Sequence, residues 1–142
     1  MTVPITVLMS VYNDKNYIKE SILSVLNQSY KNFEFIIIND GSTDCSLEII
    51  NQFALSDSRI KIINKSNSGL YKSLNLGVEQ ARGEWISIID SDDVYEPNKL
   101  ESQYSYSQLN QSVNLIGSHF TTINAKGKKL KIYKVPTDKV LL

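Results

Sequence analysis

Apolar residues in this chain come in short runs, each followed by a polar loop and then by a stretch with helical spacing. Ile5-Thr-Val-Leu-Met9 is β-branched and apolar, and Ser10-Val-Tyr-Asn-Asp14 follows it with loop chemistry. Ile18, Ile22, Val25 and Leu26 then fall at i, i+4, i+7 and i+8, which predicts an amphipathic helix capped by Asn13, Asp14 or Asn16. The unit repeats. Phe35-Ile-Ile-Ile38 predicts a second buried strand, Asn39 to Asp44 a tight polar turn, and Leu47, Ile50 and Phe53 one face of a helix whose start carries Asp44 and Glu48. Ile60-Lys-Ile-Ile63 predicts a third strand and Asn64 to Gly69 a third loop. Leu70, Leu74, Val78 and Ala81 mark the next helix, which Gly83 is placed to end. Trp85-Ile-Ser-Ile-Ile predicts a fourth buried strand, and it stops in Asp90-Ser-Asp-Asp93.

Three strand–helix alternations feeding a fourth strand predict an α/β fold, a parallel sheet with right-handed crossovers and helices on its faces. All four polar loops then lie at the carboxyl edge of the sheet, the edge at which open α/β sheets bind ligands. That edge collects Ser10, Asn13, Asp14, Asn39, Asp40, Asn67, Asp90, Asp92 and Asp93. Three carboxylates within four residues repel one another unless a cation or strong donors offset the charge. Two readings stay open: the acids are turn formers and caps before Pro97, or they hold a hard divalent ion, Mg²⁺ or Mn²⁺, that in turn holds phosphates.

Beyond Pro97 the pattern weakens. Leu100, Tyr104 and Ser107 outline a soft helical face, and Leu115-Ile116 begins another apolar segment. Phe120 to Ile123 and Leu130 to Tyr133 flank Asn124-Ala-Lys-Gly127, which predicts a β-hairpin whose second strand is half exposed. From Val135 to Leu142 a further helix is expected to begin.

Composition narrows the function classes. A chain of 142 residues suits one domain, here 1–142. Net charge is zero and the lysines at 126, 128, 129, 131 and 134 form only a local cluster, so nucleic acid is not an expected partner. A single cysteine, Cys45, excludes an internal disulfide, and beside Asp44 it reads as a small apolar filler, not a nucleophile. His119, the one histidine, reads as packed or hydrogen-bonded. No apolar run approaches the roughly 20 residues of a membrane span, and a cytoplasmic setting is expected. The first loop has neither a G-x-G-x-x-G nor a P-loop pattern, and no G-x-S-x-G occurs. What remains is metal-assisted handling of a phosphorylated ligand.

Five motifs then carry a specific resemblance: Val7-Leu-Met-Ser-Val-Tyr-Asn13; Gln28-Ser-Tyr-Lys-Asn-Phe-Glu34; Ile38-Asn-Asp-Gly-Ser-Thr-Asp44; Asn67-Ser-Gly69 with Asn75-Leu-Gly77; and Ala81-Arg-Gly-Glu-Trp-Ile86 running into Asp90-Ser-Asp-Asp93. In this order and spacing they resemble family 2 glycosyltransferases of the GT-A fold, a Rossmann-like, mostly parallel sheet flanked by helices. The resemblance covers residues 3 to about 100, the donor-binding core, and leaves 101–142 as a partial acceptor-side region. It implies transfer of a sugar from a nucleotide-diphosphate donor, most simply a UDP-sugar, with inversion. It also implies roles: Ser10, Val11, Tyr12, Asn13 and Asp14 at the nucleoside; Asp40 at the base; Gly41 and Ser42 in the turn beside the donor; Asn67, Gly69 and Lys72 on a segment closing over it. Asp90, Ser91 and Asp92 match the D-x-D signature, with Asp92 the main metal ligand and Asp90 and Asp93 also candidates.

Ser10 and Asn39 stand where the family often has Pro and Asp. The larger departure is that inverting members need a general base well beyond the D-x-D. Glu96, Glu101 and Asp138 read as solvated charges, so the base is expected to be absent from this chain and the chain to be truncated at its C-terminus. Two readings follow: an inverting glycosyltransferase represented by its donor half, or a non-catalytic nucleotide-sugar-binding module. A nucleotidyltransferase fits less well, because its first loop is Gly-rich and basic. By analogy the acceptor is a glycan or lipid-linked intermediate of bacterial capsule, lipopolysaccharide or exopolysaccharide synthesis. Peripheral association with the inner membrane face and homo-oligomerisation are part of that expectation.

Overall fold

The computed structural model describes residues 3–135. Four strands, β1 (Ile5–Val11), β2 (Phe33–Asp40), β3 (Ile60–Lys65) and β4 (Trp85–Ile88), form a parallel sheet in the order β3-β2-β1-β4. Helices α1 (Ile18–Leu26), α2 (Ser46–Ser56) and α3 (Leu70–Gln80) make the crossovers, and α4 (Lys99–Leu109) follows β4. The first two crossovers step from β1 to β2 to β3. The third steps back past all of them to β4. Right-handed connections therefore put α1 and α2 on one face and α3 on the other, and make the gap between β1 and β4 the point where the winding reverses.

The chain divides into two compact units, Met1–Ser102 and Gln103–Leu142. In the first, β1 and β2 are the core. Val7, Leu8, Met9, Phe35, Ile36, Ile37 and Ile38 are buried, and Leu8, Ile36 and Ile38 pack under α3 with Leu74, Leu76 and Ala81. In the second, β5 (Phe120–Ile123) and β6 (Lys129–Tyr133) pair antiparallel across the Asn124–Gly127 turn, with Phe120 stacked on Tyr133 at 4.9 Å.

The sheet, the crossovers and the hairpin are those the pattern predicts, and six details differ. β4 is not a buried strand. It lies at the sheet edge, and Ile86 and Ile88 are 36% and 52% exposed. α3 packs through Ser73 and Gly77 instead of Leu70 and Val78, which stay about half exposed. The reason is steric: a Cβ at Gly77 would lie 2.2 Å from Leu8 Cδ1, so the helix approaches the sheet along its smallest residues. Gly83 does not end α3, whose C-cap is Ala81. It packs the following turn against the start of β1, where a Cβ would meet Thr6 N at 2.3 Å. β6 is exposed at all five positions, not half exposed. No side chain caps α1. The Asp14 carbonyl accepts from Tyr17 N and Ile18 N instead, because the side chains of Asn13 and Asp14 are engaged elsewhere. Cys45 is exposed at the start of α2, not a packed filler, and exposed His119 accepts from Val135 N at 3.1 Å. The helix expected from Val135 onward lies outside the described residues.

Candidate functional site

At the carboxyl edge the four loops are tied to one another. Asn13 takes a left-handed backbone, φ 56°, which Asn tolerates better than most residues. That turns its Oδ1 onto the second loop, where it accepts from Thr43 N at 2.7 Å and Asp44 N at 3.3 Å, while its own N–H donates to Ser42 Oγ at 3.1 Å. The next amide, Asp14 N, donates to Ser46 Oγ at 2.9 Å. The Asp14 carboxylate crosses to the acidic turn and accepts from Ser91 Oγ through Oδ2.

Asp40 ends β2 and pairs in register with Lys65 at the end of β3. Its carboxylate is buried and accepts from Lys65 Nζ and Ser68 N through Oδ1 and from Gly69 N through Oδ2. Lys65 also donates to Ser66 O, Ser68 Oγ and Ser73 Oγ. α3 has no acid in its first turn, so Asp40 supplies the negative charge and the acceptors that its N-terminus lacks. Burial alone raises the Asp40 pKa, but these hydrogen bonds and the Lys65 charge outweigh it and hold the carboxyl below its ordinary range. Gly41, φ 74°, brings the second loop against the third. A Cβ there would stand 2.7 Å from Asn67 N, so the close approach this glycine permits is to the Asn67 backbone.

Ser91 is buried between two exposed acids, Asp90 and Asp92. Its carbonyl accepts from Ser21 Oγ of α1 at 2.7 Å. The same helix and the residue past its C-cap grip the chain that follows: Ser24 Oγ accepts from Tyr95 N at 3.0 Å, and buried Gln28 donates to Glu96 O at 2.8 Å and accepts from Leu100 N at 3.0 Å. Tyr95 OH bridges Ser87 Oγ and Ile88 O, and burial pushes its pKa well up. Asp93 is raised by burial and by the charges of Asp90 and Asp92. Asp90 and Asp92 carry no side-chain hydrogen bond among the described residues. No three His, Cys, Asp or Glu side chains among those residues converge into a cage, so a divalent ion fits here only as Mg²⁺ usually binds, on one or two carboxylates plus the ligand's own phosphates.

The residues singled out from the sequence thus fall into two groups. Tyr12, Asn67, Gly69, Lys72, Asp90, Asp92 and Asp93 are exposed. Val11 is fully buried and offers only backbone, Ser10 is half-buried, and Asp14, Asp40, Ser42 and Ser91 are engaged in joining loops. Sequence reasoning missed Ser21, Ser24, Lys65, Ser68 and Ser73. Only the place of Lys65, two residues beyond the predicted third strand as Asp40 is two beyond the predicted second, could have signalled any of them.

A parallel sheet whose carboxyl-edge loops surround an acidic turn at the winding reversal defines an α/β domain of GT-A architecture. The family model "Glycosyl transferase family 2" matches residues 6–137, and the chain belongs to that family. An uncharacterized glycosyltransferase of Haemophilus influenzae is 40% identical over 129 residues, 90% of this chain and 51% of the relative. Glycosyltransferase GlyG of Streptococcus pneumoniae is 35% identical over 124 residues, 87% of this chain and 41% of the relative. The chain therefore spans about half or less of these relatives. Among solved structures, S. aureus TarS 1–349 in complex with UDP-GlcNAc superposes with a TM-score of 0.72 at 28% identity, over 76% of this chain and 32% of that 1–349 chain. The mannosyltransferase PcManGT of Pyrobaculum calidifontis shares the fold, with a TM-score of 0.68 at 21% identity over 72% of this chain and 32% of its own.

Proposed function

We propose that this chain is the donor-binding part of an inverting glycosyltransferase that takes its sugar from a nucleotide diphosphate, a UDP-sugar first among the candidates. The observation that carries the reading is the exposed pair Asp90 and Asp92 at the winding reversal, in a fold shared with a structure that holds UDP-GlcNAc. In this reading the exposed residues touch the ligand: Tyr12 and the Ser10–Val11 backbone the nucleoside, Asn67, Gly69 and Lys72 the diphosphate and sugar, and Asp90, Asp92 and Asp93 the ribose or a divalent ion. Asp40 meets the base only through lone pairs that Lys65, Ser68 and Gly69 leave over, chiefly on Oδ2. Gly41 and Ser42 shape the floor. Bound Mg²⁺ or Mn²⁺ supplies charge to offset the diphosphate that leaves as the glycosidic bond breaks. This chain's own part is to orient that diphosphate and keep the anomeric carbon open on one side.

The acceptor, a glycan or lipid-linked intermediate of bacterial surface-polysaccharide synthesis, follows from analogy. So do a cytoplasmic location at the inner membrane face and self-association. No helix among the described residues is long and apolar enough to cross a membrane. A second reading, a nucleotide-sugar-binding module without turnover, is favoured by one observation. Of the acids beyond the turn, Glu101 accepts from Ser29 Oγ at 2.7 Å, a structural contact and not the placement of a base.

Calorimetric titration with UDP and GDP, with and without Mn²⁺, on the native chain and on Asp92→Ala tests both readings. Metal-enhanced binding of one nucleotide that Asp92→Ala reduces at least tenfold is the expected result. No binding of either nucleotide at millimolar concentration would sink them.

A further inference from the structure

One hydrogen bond at the carboxyl edge spans the winding reversal itself. Asp14 belongs to the loop after β1 and Ser91 to the turn after β4, strands that are neighbours but whose crossovers run in opposite directions. Between such strands the loops part and leave a crevice, so side chains that cross it bear on how far apart the loops stand. Ser91 is held at two points, its hydroxyl by Asp14 and its carbonyl by Ser21 Oγ of α1 at 2.7 Å. Being gripped inward, it turns its two neighbours outward: Ser91 is 7% exposed while Asp90 and Asp92 face solvent. The Asp90 carbonyl accepts from Asp93 N at 3.1 Å and closes the turn. On the other side of Asp14, Asn13 and the Asp14 amide are fastened to the second loop through Thr43, Asp44 and Ser46. The second loop is in turn fastened to the third through Asp40. The Asp14–Ser91 bond therefore links the acidic turn side chain to side chain with the first loop, and through it with the other two, beside the hold of Ser21 of α1 on the Ser91 carbonyl.

We propose that Asp14 and Ser91 form a positioning pair that couples the acidic turn to the first loop, and that they are not ligand contacts. The middle residue of the acidic signature sets the direction of the two carboxylates beside it, and Asp14 sets the middle residue. Resting on the nucleotide-diphosphate reading above, the pair makes metal-assisted and metal-free nucleotide binding separable. Loss of the Ser91 hydroxyl lets the carboxylates sample other directions and weakens what they add together with a cation, while the first three loops keep their mutual bonds.

The test uses Ser91→Ala, Asp14→Ala and Ser91→Thr, the last keeping the hydroxyl. Without any ligand, amide exchange followed by NMR should be at least fivefold faster at Asp93 N in Ser91→Ala and Asp14→Ala and near native in Ser91→Thr. Exchange of the Met9 and Ile37 amides in the core should be unchanged in all three, which general destabilisation would not allow. With UDP, the factor by which Mn²⁺ raises affinity should fall at least threefold in the two alanine variants and recover in Ser91→Thr. Native exchange at Asp93 N in Ser91→Ala overturns the pair, whatever the binding result. Faster exchange in the two alanine variants, with no nucleotide bound by the native chain, would instead leave the pair standing and remove the nucleotide reading, so the two failures are distinct.

Discussion

Strand β2 carries two buried carboxylates on the same face, six residues apart, and they do opposite jobs with the same chemistry. Glu34, at the amino end, accepts from Thr6 Oγ1 at 2.7 Å, Arg82 N at 2.6 Å and Arg82 Nε at 2.8 Å. Asp40, at the carboxyl end, accepts from Lys65 Nζ, Ser68 N and Gly69 N. Each takes a backbone amide and a cation, Glu34 a hydroxyl besides, and each holds one end of α3, so the helix is clamped at both termini by one strand. The difference lies in what surrounds the clamp. At the Glu34 end the chain turns straight into β4, with Gly83 N donating to Thr6 Oγ1 at 2.9 Å, and the guanidinium of Arg82 is 72% exposed. Both carboxylate oxygens of that clamp are engaged, and its open side is the Arg82 side chain. At the Asp40 end the clamp fixes a loop, 66–69, whose other groups face solvent beside three more loops. The same buried carboxylate stabilises the fold at one end and shapes a site at the other.

Removing the structural clamp should have the largest effect. Glu34→Ala leaves Thr6 Oγ1 and Arg82 N without their acceptor in a buried place, and about 3 kcal/mol of stability should be lost, read as a lower urea midpoint at unchanged m. A loss under about 1 kcal/mol would mean that Glu34 is dispensable and the comparison fails.

A smaller effect should appear in acid. Burial raises both pKa values, but the hydrogen bonds to Glu34 and Asp40 prevail and hold both below their ordinary values of 4.5 and 3.8. A carboxylate depressed in the folded state contributes stability that is present above its unfolded pKa and lost as pH falls through its folded one. Stability should therefore decline from about pH 4.5 downward, and the slope there should be shallower in both Glu34→Gln and Asp40→Asn. Equal slopes in native and variant chains would contradict the clamp account.

Much of this was legible in the sequence, and the limits have physical causes. β1 and β2 are almost wholly buried runs that end in polar loops, the strongest pattern a parallel sheet can write, and the alternation of strands and helices gave a parallel sheet but not its strand order, β3-β2-β1-β4, on which the reversal between β1 and β4 depends. Ile86 and Ile88 are as apolar as Ile36 and Ile38, so periodicity could not tell an edge strand from a central one. α3 was misjudged in rotation because Gly77 and Ser73 carry no apolar signal, yet close approach selects small residues. At the site, the motif positions were visible but their division of labour was not. Asp40 and Asp92 are the same residue type after strands of the same sheet, and only the structure shows one engaged by Lys65 and the other open to solvent.

The central claim is that the carboxyl edge, not the amino edge, is the ligand site, and chemical-shift mapping tests it most directly. Titrating a ¹⁵N-labelled chain with the nucleotide selected by calorimetry, in the presence of Mg²⁺, should shift or broaden amides of Ser10–Asp14, Gly41–Ser42, Asn67–Lys72 and Asp90–Asp93. Thr6, Glu34, Arg82 and Gly83, at the opposite end of the same sheet, should stay in place. Shifts that spread evenly over both ends, or that gather at Arg82, would contradict the account.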